Sequence, residues 1–563
     1  NEFVPSIPTV AVVNSTAVGS STLVYAFTSA TSLGYGNAII GDHAVAVGTG
    51  VNGGFCKFWQ VFSSSTIIKL AEGGTLEDTL TGIEECIESL GTGKISPAGY
   101  ITAVGDKSNA LANAAVALGY KANASSYGAM ALGTNSSASS DTSVAIGYQS
   151  KVSGTNAIAI GSNTSATCAN SFVLGAGAIA NGTGAGAIGY LANTQGIDAM
   201  AIGVQACALG NNSMAIGTTA CSTGTDSIAI GYSASSTNTN SSSIGTNATA
   251  SGINSMAFGA NSRAYGTNST AIGAQSFADQ TNSFVIGPNT TACGVNAGAI
   301  GASANANGES SLAIGVQSFA KEKSSLALGI NAKSIGTNST AIAVNASATG
   351  ANSMAVGYFS TSEGVNSAAL SVKANASGDN SVALGVLANA NGANAIAFGA
   401  NSSSNGPNTS ASGTNARAIG FNAIADGTDA LAEGRNVIAI GVGAKALGYN
   451  TNVVSIGTDG FAEGTNVVAL GAASRAIGTN GLAIGTGAYA QGSNVMAIGS
   501  AALADGVEST AIGSGAIAFG TQAFAVGAFS SSYSDYGSAF GPGATARAFG
   551  STAIGMNAVT PRP

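Results

Sequence analysis

The sequence predicts an all-β fold, a parallel β-solenoid built from 14-residue coils, with a small α/β insertion near its N-terminal end. Three observations carry this. A glycine closes an Ala-Ile-Gly or Ala-Leu-Gly triplet every 14 residues over most of the chain. Within each half of that period, small residues alternate with variable ones, the period-two signal of a strand. The chain also lacks the chemistry of most enzymes: of its 563 residues, 81 are glycine, 7% are charged and one is histidine.

The repeat sets the frame for everything else. Closing glycines fall at Gly105, Gly119, Gly133 and Gly147, and the beat of 14 holds to Gly441, with Ala343 and Ser371 standing in where glycine is missing. One interval of 16 leads to Gly457, after which the beat resumes to Gly555, giving about 32 coils. Numbering each coil from the residue after one closing glycine, the first half reads x-x-Ala-x-Ala-x-Gly and the second x-Asn-Ser-x-Ala-Ile-Gly. The coil from Ala260 to Gly273 is an example. Each half is short enough for one strand, and Gly and Gly-x-Asn supply the turns with positive φ between strands.

Alternation also assigns direction to each side chain. Positions 3, 5, 10 and 12 are small and face the interior, which is expected to be thin because nothing larger than Ala or Ser enters it. Positions 4 and 6 are variable and face water. Positions 11 and 13 also point outward, yet they are apolar: Val144 and Ile146, Ile158 and Ile160, Met200 and Ile202, Leu312 and Ile314, Ile438 and Ile440. If all coils stack at about 4.8 Å, this stripe runs for about 150 Å, far beyond the apolar patch a soluble monomer tolerates. A parallel oligomer of closed cyclic symmetry, or a higher filament built on it, is therefore expected, since stripes of equal pitch match in register only when the chains run the same way.

The runs Thr267-Asn268-Ser269-Thr270-Ala271-Ile272-Gly273 and Thr155-Asn156-Ala157-Ile158-Ala159-Ile160-Gly161 resemble the repeat of the YadA-like head of trimeric autotransporter adhesins. The likeness covers about residues 99–559. It implies a left-handed parallel β-roll, a homotrimer, and an adhesive role at the cell surface or outside the cell. Neither a sustained heptad stalk nor a membrane-anchor barrel precedes the final Thr560-Pro561-Arg562-Pro563. The chain thus reads as a head segment, or as a roll used by another delivery system such as a virion fibre.

Other chemistries are poorly supplied. With 17 basic against 25 acidic residues the net charge is -8, which removes the electrostatic term that nucleic-acid binding needs. No apolar run reaches transmembrane length. His43 has no partner at a recognisable nucleophile motif, and no phosphate-binding Gly-x4-Gly-Lys-Ser/Thr occurs. No catalytic residue, metal site or cofactor is expected. Candidate ligand-facing residues are the large ones at outward first-strand positions: Arg263, Phe277, Phe319, Lys333, Arg417, Lys445, Arg475 and Tyr489. Two cysteine pairs are candidate disulfides, Cys56 with Cys86 and Cys207 with Cys221, the latter one coil apart at position 4. Asparagine recurs at position 9, where stacked identical amides can form a hydrogen-bonded ladder. Sequons at Asn14, Asn123, Asn135, Asn163, Asn247, Asn268, Asn289, Asn338, Asn345, Asn375 and Asn408 are candidate glycosylation sites.

The first hundred residues differ. Residues 1–48 hold apolar strands and a partial coil, read as an assembly region. Residues 49–98 form the insertion, with Trp59 among Phe55, Phe58 and Phe62, then a helix opened by the capping pair Thr75 and Asp78. Residues 99–559 are the roll and 560–563 a tail. The favoured function is a non-enzymatic extracellular trimeric fibre, its head binding cell-surface or matrix ligands. The alternative is a structural subunit of an extracellular filament or virion fibre that assembles through its N-terminal region.

Overall fold

The computed structural model describes residues 100–448 and 452–561, together with six short strands between Thr16 and Gly53. All regular structure among the described residues is β-strand, and no helix is present there. The chain divides into two compact units, Asn1–Asp279 and Gln280–Pro563, and each is built from the same coil.

Each coil carries two strands on opposite sides of a thin interior. In the first unit, Lys151–Val152 is a first-half strand and Ile158–Ile160 a second-half strand. Both pair in parallel with their equivalents one coil away: Lys151 with Ser165, and Ile158 with Val144 on one side and Phe172 on the other. In the second unit, Lys333–Ser334 and Thr340–Ile342 do the same. Every residue therefore stacks on its counterpart in the next coil, and any side-chain type that recurs becomes a column.

The corners explain the polar part of the repeat. Positions 2 and 9 sit in the left-handed region, as at Asn163 (φ 57) and Asn170 (φ 58), a conformation asparagine tolerates because its short amide bonds locally. The closing glycine lies further out: Gly147 has φ 130, and a Cβ there would come within 2.2 Å of the Gly161 carbonyl oxygen. Serine at positions 3 and 10 ties each corner down. The Ser262 hydroxyl donates to the Gly259 carbonyl at 2.8 Å, and that of Ser255 to Gly252 at 2.7 Å.

Columns of fully buried alanine fill the interior. The expected size limit is corrected, however: Ile101, Val152, Val173, Val285, Val437, Val453, Val467 and Val495 are also buried. In the first unit a large residue sits between small ones, Val152 between Ala138 and Ala166 and Val173 between Ala159 and Ala187, so volume is conserved along the column. In the second unit Val437, Val453 and Val467 stack directly. They do so where the first-half strand lengthens, from Arg417–Phe421 through Leu431–Arg435, Lys445–Gly448, Phe461–Thr465 and Arg475–Thr479 to Tyr489–Ser493.

The coils also begin earlier than the repeat suggests. Thr16–Val18, Thr31–Leu33 and Val45–Val47 stack in parallel, and the last pairs in register with Thr102–Val104. Leu23–Tyr25, Ala38–Ile40 and Asn52–Gly53 make the other column, which continues to Asn109–Ala110. The segment between Gly53 and Tyr100 is thus inserted between successive coils. The helix expected there, the aromatic group around Trp59, and Cys56, Cys86, His43 and Asn14 lie outside the described residues.

Candidate functional surfaces

Two outward faces and two ladders hold the sequence-identified residues. The first face is the apolar stripe. From Leu118 through Ile272 every coil of the first unit puts Leu, Ile or Phe at position 13. In-register pairing turns these into a continuous column, with Ile146 on Ile160, Ile188 on Ile202 and Ile202 on Ile216. Val144, Ile158, Leu312, Ile314 and Ile438 are half-buried in the isolated chain, while Met200 and Ile440 are exposed at 36% and 37%. The column is broken once: Ser410 and Ser412 pair with Ile424 and Asp426, and Asp426 with Ile440.

The second face is the outer side of the first-half strands. Arg263, Lys333, Arg417, Lys445 and Arg475 are exposed, whereas Phe277, Phe319 and Tyr489 are half-buried. Phe277 meets the Tyr265 ring edge-on, with centroids 5.4 Å apart, and with Arg263, Asn261, Gln275 and Ser276 lines a shallow depression. Phe319 stacks between Asn305 and Lys333. In the first unit Arg263 and Phe277 are thus in-register neighbours, and in the second Phe319 and Lys333 form a separate neighbouring pair. Also in the second, Arg417, Lys445, Arg475 and Tyr489 share one continuous ladder three to five residues wide, with Arg475 lying 4.7 Å over the Phe461 ring and Arg435 5.3 Å over that of Phe421. Sequence reasoning named Arg417, Lys445 and Arg475 of this ladder and missed Arg435, as well as Ile419, Glu433, Leu447, Glu463 and Ile477 beside them. Glycine at position 7 gave no such signal, since its unbroken run from Gly336 to Gly520 begins in coils whose first strands are still two residues long, as at Ser347–Ala348.

The asparagine ladder is present at position 9. Asn338, Asn352, Asn366, Asn380, Asn394, Asn408 and Asn422 each pass a side-chain N–H to the next amide oxygen, the last to Asn436, at 2.9 to 3.2 Å. A parallel run at position 2 passes from Asn401 to Asn415 and ends on Asp429, which accepts at 2.9 Å and has no N–H to hand on. Of the sequon asparagines, Asn338 and Asn408 donate within this ladder and Asn268 accepts in a shorter one from Asn254. Asn247 donates to Asn261, Asn375 to Asn389 and Asn391, and Asn163 to Ser162. Asn289 is exposed, while Asn123, Asn135 and Asn345 are half-buried.

Cys207 and Cys221 are half-buried neighbours in register across one coil step. Their mutual hydrogen bond, with burial behind it, pushes the Cys207 thiol up and draws Cys221 down to about 7 against the effect of burial. Among the described residues, no three potential metal ligands cluster, and no helix is long and apolar enough to cross a membrane.

A family model described as the YadA head domain repeat matches this chain in successive and overlapping segments, from 102–122, 124–150 and 138–164 through 376–402 and 411–436 to 476–502, 504–530 and 534–558. No curated protein matches it.

Proposed function

The chain belongs to the YadA head repeat family, and on that premise we propose that it forms the head of an extracellular homotrimeric fibre that adheres to cell-surface or matrix ligands. The repeats imply a trimeric autotransporter adhesin-like fibre, and both family and fold are of structural, adhesin type. One observation carries the trimer. From Leu118 through Ile272, a column of Leu, Ile and Phe at position 13, flanked by mostly apolar residues at position 11, lines one face of the first unit. Pairing that hides ~100 Å² of apolar area per coil would stabilise each chain by roughly 2.5 kcal/mol per coil as an upper estimate. Across many coils this exceeds the entropic cost of association.

With the stripe turned toward the threefold axis, the first-strand face looks outward. Arg263, Phe277, Phe319, Lys333, Arg417, Lys445, Arg475 and Tyr489 are then the large side chains offered to a ligand. Replacing Ile158 and Ile160 together with Asp is expected to lower the melting temperature and loosen the trimer around those coils. A native mass of one chain for the unmodified protein overturns the reading. Imaging separates adhesive heads from the filament alternative, since discrete rods support the head and indefinite filaments support assembly through the N-terminal strands.

A further inference from the structure

The lengthened strands of the second unit carry a regular pattern that the adhesive reading does not use. Outward positions 4 and 6 of consecutive coils read Arg417 with Ile419, Leu431 with Glu433, Lys445 with Leu447, Phe461 with Glu463, Arg475 with Ile477, and Tyr489 with Gln491. A coil with a cation at position 4 has an aliphatic residue at 6, and the next coil has an apolar residue at 4 and a carboxylate or amide at 6. The pattern repeats every two coils. Among the described residues the ion pairs are Lys321–Glu322 and Lys323–Glu309, so Arg417, Lys445, Glu433 and Glu463 form none with any described residue.

We propose that this chequered face docks a second copy of itself side by side, with the two rods parallel. Two copies placed face to face around an axis along the rods bring position 4 of one over position 6 of the other. A slide of one coil, about 4.8 Å, then sets Arg417 over Glu433 of the second copy, Glu433 over Lys445, Lys445 over Glu463 and Glu463 over Arg475. The apolar squares match in the same placement: Ile419 meets Leu431, Leu431 meets Leu447, and Leu447 meets Phe461. Antiparallel rods lay position 4 on position 4, where a cation meets only a cation or an apolar residue. Charge complementarity thus selects the parallel arrangement. The inference rests on the trimeric reading in one respect, that the opposite face is taken by the trimer. Each trimer then offers three chequered faces, and association spreads laterally into bundles.

The test uses the full chain and two charge variants confined to exposed or half-buried side chains. One carries Arg417→Glu, Lys445→Glu and Arg475→Glu; the other carries Glu433→Lys and Glu463→Lys. Light scattering and sedimentation at low salt are expected to show the wild type in species heavier than a trimer, in steps of three chains, dissolving as salt screens the contacts. Either variant alone is expected to associate at least about tenfold more weakly, and an equimolar mixture of the two to associate again, which loss of folding cannot mimic. Trimers that stay trimers at every salt and concentration, or variants that associate like wild type, overturn the proposal. Heavier species in steps of one chain uphold the pairing and overturn the trimer instead.

Discussion

Two kinds of coil coexist in this chain, and the difference lies in one corner. In coils such as that of Lys151–Val152 and Ile158–Ile160, the first strand is two residues long, and positions 7 to 9 make a turn closed by the Ala157 amide on the Gly154 carbonyl at 3.3 Å. In coils such as that of Leu431–Arg435 and Val437–Ile440, the strand runs on to position 8 and a single left-handed residue, Asn436 (φ 56), turns it. Position 7 is where the two diverge. Gly154, Gly210 and Gly252 lie outside the left-handed region, and other early coils place Ser140, Cys168, Asn238 or Glu322 there. Gly420, Gly434, Gly464, Gly478 and Gly492 have φ from 120 to 131. The same residue type thus serves close approach in one region and an otherwise forbidden backbone in the other.

Substitution at that corner should separate the regions most strongly. Gly434→Ser places a Cβ within 1.7 Å of the Gly448 carbonyl oxygen at φ 131, and combines a backbone clash with strain. A loss of about 3 kcal/mol or more is expected, read as a fall in the denaturant midpoint. Gly210→Ser meets a comparable clash, 1.9 Å from the Gly224 oxygen, but without the left-handed φ, and early coils already accept side chains there. Its cost is expected near 1 kcal/mol. Equal costs would mean that the two corners are not distinct.

Most of the coil was legible in the sequence because stacking in register turns each residue choice into a column. The spacing of Gly147, Gly161 and Gly175 gives the period, and the alternation between them gives the inward alanines and the outward apolar pair. The lengthened strands were not legible, because strand and turn are both compatible with Gly at position 7, which runs unbroken through the short-strand coils from Gly336 as well; only Val437, Val453 and Val467 at position 10 accompany the change. The early coils before Gly53 were legible only as apolar strands and a partial coil, for a different reason. An insertion between Val45–Val47 and Thr102–Val104 shifts the period out of phase without breaking the ladder. The ligand-facing candidates were found one residue at a time, by size, so the two-coil alternation around Arg417 and Glu433 was invisible to that approach.

A subtler test concerns the closing glycine, where the two kinds of coil agree. Ala343 and Ser371 hold φ 109 and 129 at positions that are otherwise glycine, a conformation that strains any residue with a Cβ. Ala343→Gly and Ser371→Gly are each expected to stabilise the protein by about 1 kcal/mol, the strain relieved less the extra freedom glycine gives the unfolded chain. The reverse control, Gly329→Ala, would put its Cβ 2.5 Å from Ala343 backbone atoms and should destabilise. A lowered melting temperature in the glycine variants would show that the backbone is relaxed there.

The stripe break falls at the start of the lengthened region. Asp426 stacks between Ser412 and Ile440 and is exposed in the isolated chain. In a trimer three copies converge where Ile or Leu is the rule, so Asp426→Leu should remove a poorly solvated charge and restore the column. A gain of about 1 kcal/mol at neutral pH is expected, seen as a rise of a few degrees in melting temperature. An unchanged or lowered value with the trimer intact would mean that solvent reaches the carboxylates.

The smallest effect leaves the fold untouched and belongs to the short-strand coils, where Cys207 and Cys221 occupy the outward column that carries Arg417 and Lys445 further on. With Cys221 drawn down to about 7 by the hydrogen bond from Cys207, its thiolate is half populated near neutral pH, below the range of an ordinary thiol, and Cys207 is held protonated. Alkylation should therefore reach Cys221 before Cys207, at a rate that rises as pH passes through about 7. With glutathione disulfide as oxidant, the Cys221 thiolate attacks one sulfur and releases a glutathione thiolate. Cys207 then gives up its proton, attacks the mixed disulfide and releases the second glutathione, leaving a bridge across one coil step. Neighbouring parallel strands set the two residues at about 4.8 Å, within the span of a disulfide but with little slack, so the bridge should be easily reduced. Cys207→Ala should slow Cys221 alkylation at neutral pH, because it removes the hydrogen-bond donor that holds the thiolate. Equal labelling of both cysteines at pH 7, or no change in Cys221 after that substitution, would mean that the two thiols act independently.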